Sequence, residues 1–365
     1  NLGAYDILIV GQAALTPEGP APDITRVRDG LRVLMFEQTA ETLEKRFGFR
    51  VAEYGLRRVF KRIPDHPALA GLAAENLSDW RGEATILPPR LKYVLSPRYN
   101  EVPAVKWCDL EVPRLWRCGC QGNVASVLIE KPARGDFLPV VDGGFSLQYS
   151  PLLEYREGKG LVVFCQLDVT GRTESDPAAE TLTRNLLQYL STWKAAPRRK
   201  ALYAGDAAGK RHLEAAGLSL DSYTGGALSA DQVLVVGPGG GKPLAAHVAD
   251  IAAWLKAGGN LLALGLDEGN ANAFLPSKVS MKKAEHIAAY FEPLGMHSGF
   301  AGIGPADVHN RDPRELPLVT GGAAPVGNGV LAKAENMPVI FCQLVPWQFE
   351  YKQPQNIKRT FRRAS

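Results

Sequence analysis

Carboxylates, thiols, histidines and one glycine-rich loop are the groups of this chain whose types and spacing could do chemistry. Glu37 and Asp168 both lie just beyond apolar, strand-like runs, Leu31 to Phe36 and Gly160 to Leu167. Two carboxyl groups about 5–10 Å apart are what glycoside hydrolysis needs. These two are therefore the candidates for a carboxylate-dependent hydrolase working at the open end of a sheet. Cys165 and Cys342 sit inside apolar runs, where a thiol is expected to be buried and inert. Cys108, Cys118 and Cys120 fall in an irregular stretch rich in Trp and Arg. Cys-x-Cys with one distant Cys does not give the paired ligands of a zinc site. A hairpin disulfide from Cys108 or free thiols are expected there, and no metal. His66, His212, His247, His286, His297 and His309 are scattered, without a His/carboxylate cluster, and read as surface or structural residues.

The glycine-rich loop is Gly237-Pro-Gly-Gly-Gly-Lys242-Pro243. A phosphate-binding loop needs its Lys followed by Ser or Thr for magnesium, and a wider spacing from its first Gly. Here Pro243 holds the magnesium position, and the GxGxxG fingerprint of dinucleotide-binding sheets is also incomplete. The loop reads as a connection at the end of a strand, and no cofactor is expected.

A repeat positions these groups. Asp6-Ile-Leu-Ile-Val-Gly11 and Gln232-Val-Leu-Val-Val-Gly237 each read as a short buried strand ending in Gly. Each is followed by a loop, a segment of helical character (Ile24 to Gly30, Leu244 to Gly259) and a second apolar strand (Leu31 to Phe36, Asn260 to Leu264). Strand, crossover and strand is the grammar of a parallel sheet. Later, Gly160 to Leu167 and Met337 to Leu344 share Phe-Cys-Gln-Leu. A helix follows the first, Pro177 to Leu190, with Leu182, Leu186, Leu187 and Leu190 on one face and Asp176 or Ser175 as its cap. A second is expected from about Gln355. The second copy opens with an extra strand and helix, Lys200 to Tyr203 and Gly209 to Ala216, for which the first has no room. Both ends are thus expected to be cuts in a longer polypeptide.

The fold class is α/β: two tandem parallel-sheet units, residues 1–195 and 196–365, with the boundary at Pro197-Arg-Arg-Lys200. The first carries a β-rich insertion over about 83–149, in which Val124 to Glu130 and Phe137 to Val141 form a hairpin. The insertion is too long for a connecting loop and is rich in Trp, Tyr and Arg, the composition of contact surfaces. Either the hairpin, with Asp136, Asp142 and Tyr149 at its base, reaches towards a partner or substrate, or the segment folds back to cover one edge of its own sheet. Trp107, Trp116 and Arg172 are further contact candidates, and Trp80, Trp107, Trp116 and Tyr149 could serve a sugar-binding module as stacking platforms. The turn after the second matched strand decides the enzyme question, because sheet enzymes place a nucleophile on that elbow. It reads Phe36-Glu37-Gln38-Thr39 in one copy and Gly265-Leu266-Asp267-Glu268-Gly269 in the other, with neither Cys nor Ser.

The formal net charge is +4, without a long block of like charge, so no nucleic-acid partner is expected. Apolar runs such as Val233 to Val236 are too short to span a bilayer, and no signal peptide is visible.

The strand-Gly pattern, Gly-Leu-Arg-Val-Leu-Met-Phe-Glu37-Gln38, Gly-Lys-Gly-Leu-Val-Val-Phe-Cys165-Gln-Leu-Asp168 and His66-Pro67-Ala-Leu-Ala-Gly71-Leu72 resemble class I glutamine amidotransferase-like domains. The likeness is to the non-catalytic kind appended to bacterial glycoside hydrolases, including the trimerisation domain of beta-galactosidases. A working amidotransferase has Cys at the elbow and a late His-Glu pair; Glu37 or Asp267 at the elbow removes that activity. The resemblance implies a flavodoxin-like sheet and an accessory or assembly role. Its partners would be a catalytic glycosidase domain of the same polypeptide, a homo-oligomer or carbohydrate. The location would be periplasmic or extracellular if the parent is secreted.

Overall fold

The computed structural model describes residues 2–86, 94–95, 103–107, 110–113, 121–310 and 313–348. Trp116, Cys108, Cys118, Cys120 and the helix expected from about Gln355 lie outside the described residues. The chain divides into two compact units. One comprises Asn1–Pro132, Asp136–Ala195 and Pro293–Gly302; the other comprises Ala133–Gly135, Ala196–Glu292 and Ile303–Ser365.

The strands of the first unit are, in chain order, β1 (Ile7–Val10), β2 (Arg32–Met35), β3 (Val51–Leu56), β4 (Phe60–Lys61) and β5 (Trp80–Glu83). Then come β6 (Val94–Leu95), β7 (Pro103–Trp107), β8 (Leu110–Pro113), β9 (Gln121–Gly122), β10 (Ala125–Glu130), β11 (Phe137–Gly143), β12 (Tyr149–Glu157) and β13 (Gly160–Cys165). Its helices are α1 (Ala40–Phe47) and α2 (Pro177–Thr192). The main sheet runs β1-β2-β13-β12-β10-β3, with β11 pairing β12 and β4. Only β1, β2 and β13 are parallel; the other pairings are antiparallel. Apolar side chains alternate between two cores: Leu34, Val163 and Cys165 pack with α2, whereas Val33, Met35 and Phe164 pack with α1.

Local chemistry sets the helix limits. The Thr39 hydroxyl accepts the Thr42 N–H to start α1, and Gly48, at φ 71°, ends it in the left-handed conformation glycine tolerates. Asp176 accepts the N–H groups of Ala178 and Ala179, and Pro177 fits the first turn of α2. Leu182, Leu186 and Leu190 are buried, but Leu187 is 40% exposed. Five residues beyond Leu182 is a rotation of about 140° at 3.6 residues per turn, so Leu187 leaves the apolar face.

The hairpin expected from Val124 to Val141 does not form. β10 and β11 do not pair with each other; both pair with β12, and β10 pairs with β3 on its other side. The reason is that Val127, Leu128 and Ile129 are all fully buried. A strand apolar on both faces belongs inside a sheet rather than on an exposed arm. The insertion therefore shrinks, because residues 125–143 belong to the main sheet.

In the second unit the strands are β14 (Lys200–Ala204), β15 (Leu220–Ser222), β16 (Gln232–Val236), β17 (Asn260–Leu264), β18 (Ser280–His286), β19 (Arg314–Gly321), β20 (Ala324–Val326), β21 (Leu331–Lys333) and β22 (Val339–Cys342). Helices α3 (Ala207–Ala215), α4 (Val248–Lys256) and α5 (Glu268–Phe274) accompany them. The sheet order is β15-β14-β16-β17-β22-β21-β20, with the first five strands parallel, while β18 and β19 form a separate antiparallel pair.

The registers of the two sheets correspond. Val10 pairs with Met35, which pairs with Phe164; Val236 pairs with Ala263, which pairs with Phe341. Cys165 then faces Leu152 across an antiparallel pair, as Cys342 faces Leu331. The crossovers are less helical than their pattern predicts. The first holds only the 3-10 turn Thr25–Asp29, and the second begins as the 3-10 segment Lys242–His247 before α4. Five residues cannot offset the cost of nucleating an α-helix.

Candidate functional site

Both strand-to-helix elbows lie at the C-terminal ends of parallel strands, the usual place for ligands and chemistry in such sheets. In the first unit Glu37 follows β2, yet it does not cap α1; Thr39 does. The Glu37 carboxylate instead turns to the loop after β13. One oxygen accepts the Thr170 N–H at 2.8 Å and the other accepts the Thr170 hydroxyl at 2.7 Å. Glu37 is 1% exposed, and burial pushes its carboxyl up against the opposing pull of the Thr170 bonds.

Asp168, also 1% exposed, accepts the Ser126 hydroxyl at 2.5 Å. Burial is the main cause that pushes its carboxyl up to about 7; the Ser126 bond opposes this, the charge of Glu37 adds to it and Arg172 opposes it. Arg172 completes the cluster. Its guanidinium donates to the backbone carbonyls of Arg81 (3.0 Å), Trp80 (3.0 Å), Gly82 (3.1 Å) and Asn123, and lies over the Trp80 ring at 5.9 Å. Beneath them Cys165 is fully buried, and burial pushes its thiol well up, with Glu37 contributing. A neutral Cys at that depth is a poor nucleophile.

Gln166 closes the floor of the elbow. Its amide accepts the Gln38 N–H at 3.0 Å and donates to the Gln38 carbonyl at 3.0 Å. In the second unit the elbow residue Asp267 caps α5, accepting the Asn270 N–H at 2.7 Å and its side-chain amide at 2.8 Å. These bonds hold the Asp267 carboxyl below its ordinary range. Glu268 accepts the Met281 N–H at 2.8 Å.

The expected catalytic candidates Glu37 and Asp168 and the expected contact residue Arg172 are brought into one cluster by the fold. As a contact residue for substrate or partner, however, Arg172 is corrected: it is buried and spent on four carbonyls of its own unit. Asp142 is likewise buried, held by Arg62 at 3.0 Å and Lys131 at 2.5 Å. Trp80 is no stacking platform, since it is 2% exposed with its indole N–H on the Asn76 carbonyl. Asp136 is exposed, and its carbonyl accepts the Arg156 N–H at 3.0 Å. Tyr149 opens β12 and packs half-buried against the core shared with α2. Trp107 ends β7, and its side chain lies outside the described residues, as does Trp116.

Sequence reasoning missed a second buried network. His66 Nδ1 accepts the Ala68 N–H at 3.1 Å, so Nε2 carries the proton and donates to Glu154 at 2.8 Å. Arg156 donates to the other Glu154 oxygen at 2.9 Å, and the His66 ring meets Tyr189 edge-on at 4.8 Å. Burial alone would raise the Glu154 carboxyl, but the His66 bond and the Arg156 charge bring it below its ordinary value. The signal available was Glu154 itself, a charged residue inside the apolar strand Leu152-Leu-Glu-Tyr155.

A groove of about 560 Å³ on α2, lined by Thr173, Glu180, Thr183, Arg184, Leu187 and Gln188 among others, contains none of the candidates. Among the described residues no group of three or more His, Cys, Asp or Glu could hold a metal ion, and no helix is long and apolar enough to cross a membrane. No protein-family model matches the chain, and no curated protein matches it.

Proposed function

We propose that this chain is a non-catalytic accessory and assembly region of a glycoside hydrolase, packing on a catalytic glycosidase domain of the same polypeptide. In this reading each unit is a flavodoxin-like, amidotransferase-like domain. Counting only the parallel strands of the second unit, the second strand is outermost, followed by the first, third, fourth and fifth, an order that agrees with that kind of sheet; the antiparallel β21 and β20 extend it beyond the fifth. The single observation that carries the reading is the state of the two elbows. Each holds a carboxylate tied into its own fold, Glu37 on Thr170 and Asp267 on α5, where a catalytic domain would present a free nucleophile.

One observation favours a second reading, a carboxylate-dependent glycoside hydrolase. Asp168 near 7 beside Glu37 is a proton donor poised at neutral pH. Against it stands the burial of both groups at 1% exposure, which leaves a sugar no approach in this conformation.

The test is to assay purified residues 1–365 for ammonia release from glutamine and for hydrolysis of aryl glycosides, and to establish the complete gene product. Background rates, with a glycosidase domain elsewhere in the product, are expected. Turnover that vanishes in Glu37→Gln or Asp168→Asn supports the carboxylate enzyme and overturns the accessory reading, as does a gene product without a glycosidase domain.

A further inference from the structure

The two sheets share a register but differ at one edge. In the second unit β16 is flanked by β14, and α3 covers it: Val235, 4% exposed, packs with Tyr203 of β14 and Leu213 of α3. Among the described residues the matching strand of the first unit, β1, pairs with β2 alone and ends the sheet. Ile9, which holds the place of Val235, is 51% exposed, and Tyr5 before it is 63% exposed.

The backbone agrees with the side chains. The carbonyls of Asp6 and Val10 accept from Arg32 and Phe36, so alternation turns the N–H and C=O of Ile7 and Ile9 to the open side. On the same side of the second unit's strand the groups just beyond either end of β16 are paired: Asp231 accepts from Lys200 and Gly237 donates to Ala204, while Val233 and Val235, the counterparts of Ile7 and Ile9, lie in register with Ala201 and Tyr203 of β14. A row of unpaired backbone groups beside exposed apolar side chains is a template for strand addition.

We propose that the free edge of β1 docks one further strand, parallel to β1 and followed by an amphipathic helix, supplied by the same gene product outside residues 1–365. This inference rests on the accessory reading and names the surface through which the chain joins the rest of its polypeptide. The occupant's chemistry is read from β14 and α3: a short strand alternating its apolar residues, in the register of β14 on β16, and a helix whose apolar face covers Ile7 and Ile9. A second copy of the chain is the competing occupant. It has no counterpart in the second unit, where the cover is a parallel strand and its helix.

The experiment is amide hydrogen exchange on the complete gene product and on residues 1–365 alone. The amides of Ile7 and Ile9 are expected to exchange about 100-fold or more slowly in the complete product than in the shorter chain. Those of Val233 and Val235 should be protected in both. Ile9→Asp in the complete product should return Ile7 to fast exchange while the amides of Leu8 and Val10, on the β2 side, stay protected and report that the unit is folded. Equal, fast exchange at Ile7 and Ile9 in both proteins overturns the proposal. Equal protection in both, lost on dilution, also overturns it and assigns the edge to a second copy. Protection by a gene product without a glycosidase domain overturns the accessory reading and leaves the docking edge standing.

Discussion

Gln166 and Gln343 occupy the same place in the two units, each following the paired Cys of a Phe-Cys-Gln-Leu strand, and each is buried. Gln166 clamps the elbow peptide, bonding both the N–H and the C=O of Gln38. Gln343 makes no such clamp: its amide N–H contacts the Met281 sulfur at 3.5 Å, and its oxygen is buried without a hydrogen-bond partner. The first unit has concentrated its polar wiring at the C-terminal ends of its parallel strands, with Glu37, Asp168, Arg172 and Gln166 all buried there. The second keeps that end sparse, with Gly265 and Leu266 where the first has Glu37 and Gln38. A shared strand grammar thus fixes where a glutamine sits, while the elbow sequence decides what it holds.

The largest expected break in this comparison is Arg172→Ala. It leaves the carbonyls of Arg81, Trp80, Gly82 and Asn123 without their donor and removes the cation that opposes the rise of the Asp168 carboxyl. The first unit should lose on the order of 4 kcal/mol in urea unfolding, with the second unit's transition unmoved. Arg172→Lys should recover little, because a point ammonium cannot serve carbonyls arrayed around a planar fork. An unchanged first transition would show that the cluster is not what ties these loops together.

The next effect is a pH dependence confined to the first unit. The Asp168 carboxyl is raised in the folded state from 3.8 to about 7, so the folded state holds the proton more tightly than the unfolded. Its contribution is fully present below about pH 4 and is lost as pH rises through 7. The difference corresponds to at most roughly 4 kcal/mol. Glu37, also raised by burial, acts in the same direction. Asp168→Asn should flatten the profile of the first transition between pH 4 and 8. A profile that rises with pH, or one that Asp168→Asn leaves unchanged, would place the titration elsewhere.

What was legible in the sequence follows from how local its cause is. The parallel strands announce themselves as apolar runs ending at Gly11 and Gly237, and Asp176-Pro177 marks the start of α2 by side-chain chemistry within three residues. Glu37 and Asp168 were found because each directly follows such a run. Their burial was not legible, since Glu37 meets Thr170 across 133 residues of chain and Asp168 meets Ser126 of β10 across 42. The His66–Glu154 pair joins residues 88 apart in the chain, and no local pattern encodes that meeting. β10 and β11 were misplaced for the same reason. A six-residue connection suggests a hairpin, but the partner that both strands chose, β12, comes later in the chain.

The glutamine contrast itself is tested by a matched pair of substitutions. Gln166→Leu removes both partners of the Gln38 peptide, and a buried N–H and C=O left unsatisfied cost about 1–3 kcal/mol each in unfavourable cases. The first unit should lose roughly 2–3 kcal/mol. Gln343→Leu removes an oxygen that already has no partner, so the second unit should change by less than about 1 kcal/mol and gain if the leucine fits. Equal losses in the two units would mean that the shared glutamine acts by filling volume rather than by its bonds.

The smallest expected effect sharpens the same contrast at the elbow of the second unit. There a single carboxylate, Asp267, meets the Asn270 N–H and side-chain amide at the start of α5 and is exposed to solvent. An N-cap replaced by Ala costs about 1 kcal/mol, so Asp267→Ala should move the second unit's transition by about that amount. Asp267→Asn keeps an oxygen able to accept the Asn270 N–H and should recover most of the loss. Because the bonds hold the Asp267 carboxyl below its ordinary range, its contribution is present above about pH 4 and fades as pH falls through its lowered value, the reverse of Asp168. Stability profiles of the two units that bend in opposite directions below neutrality, each flattened by its own substitution, are the expected outcome. Profiles that bend together would show that the two elbows do not differ in how they hold charge.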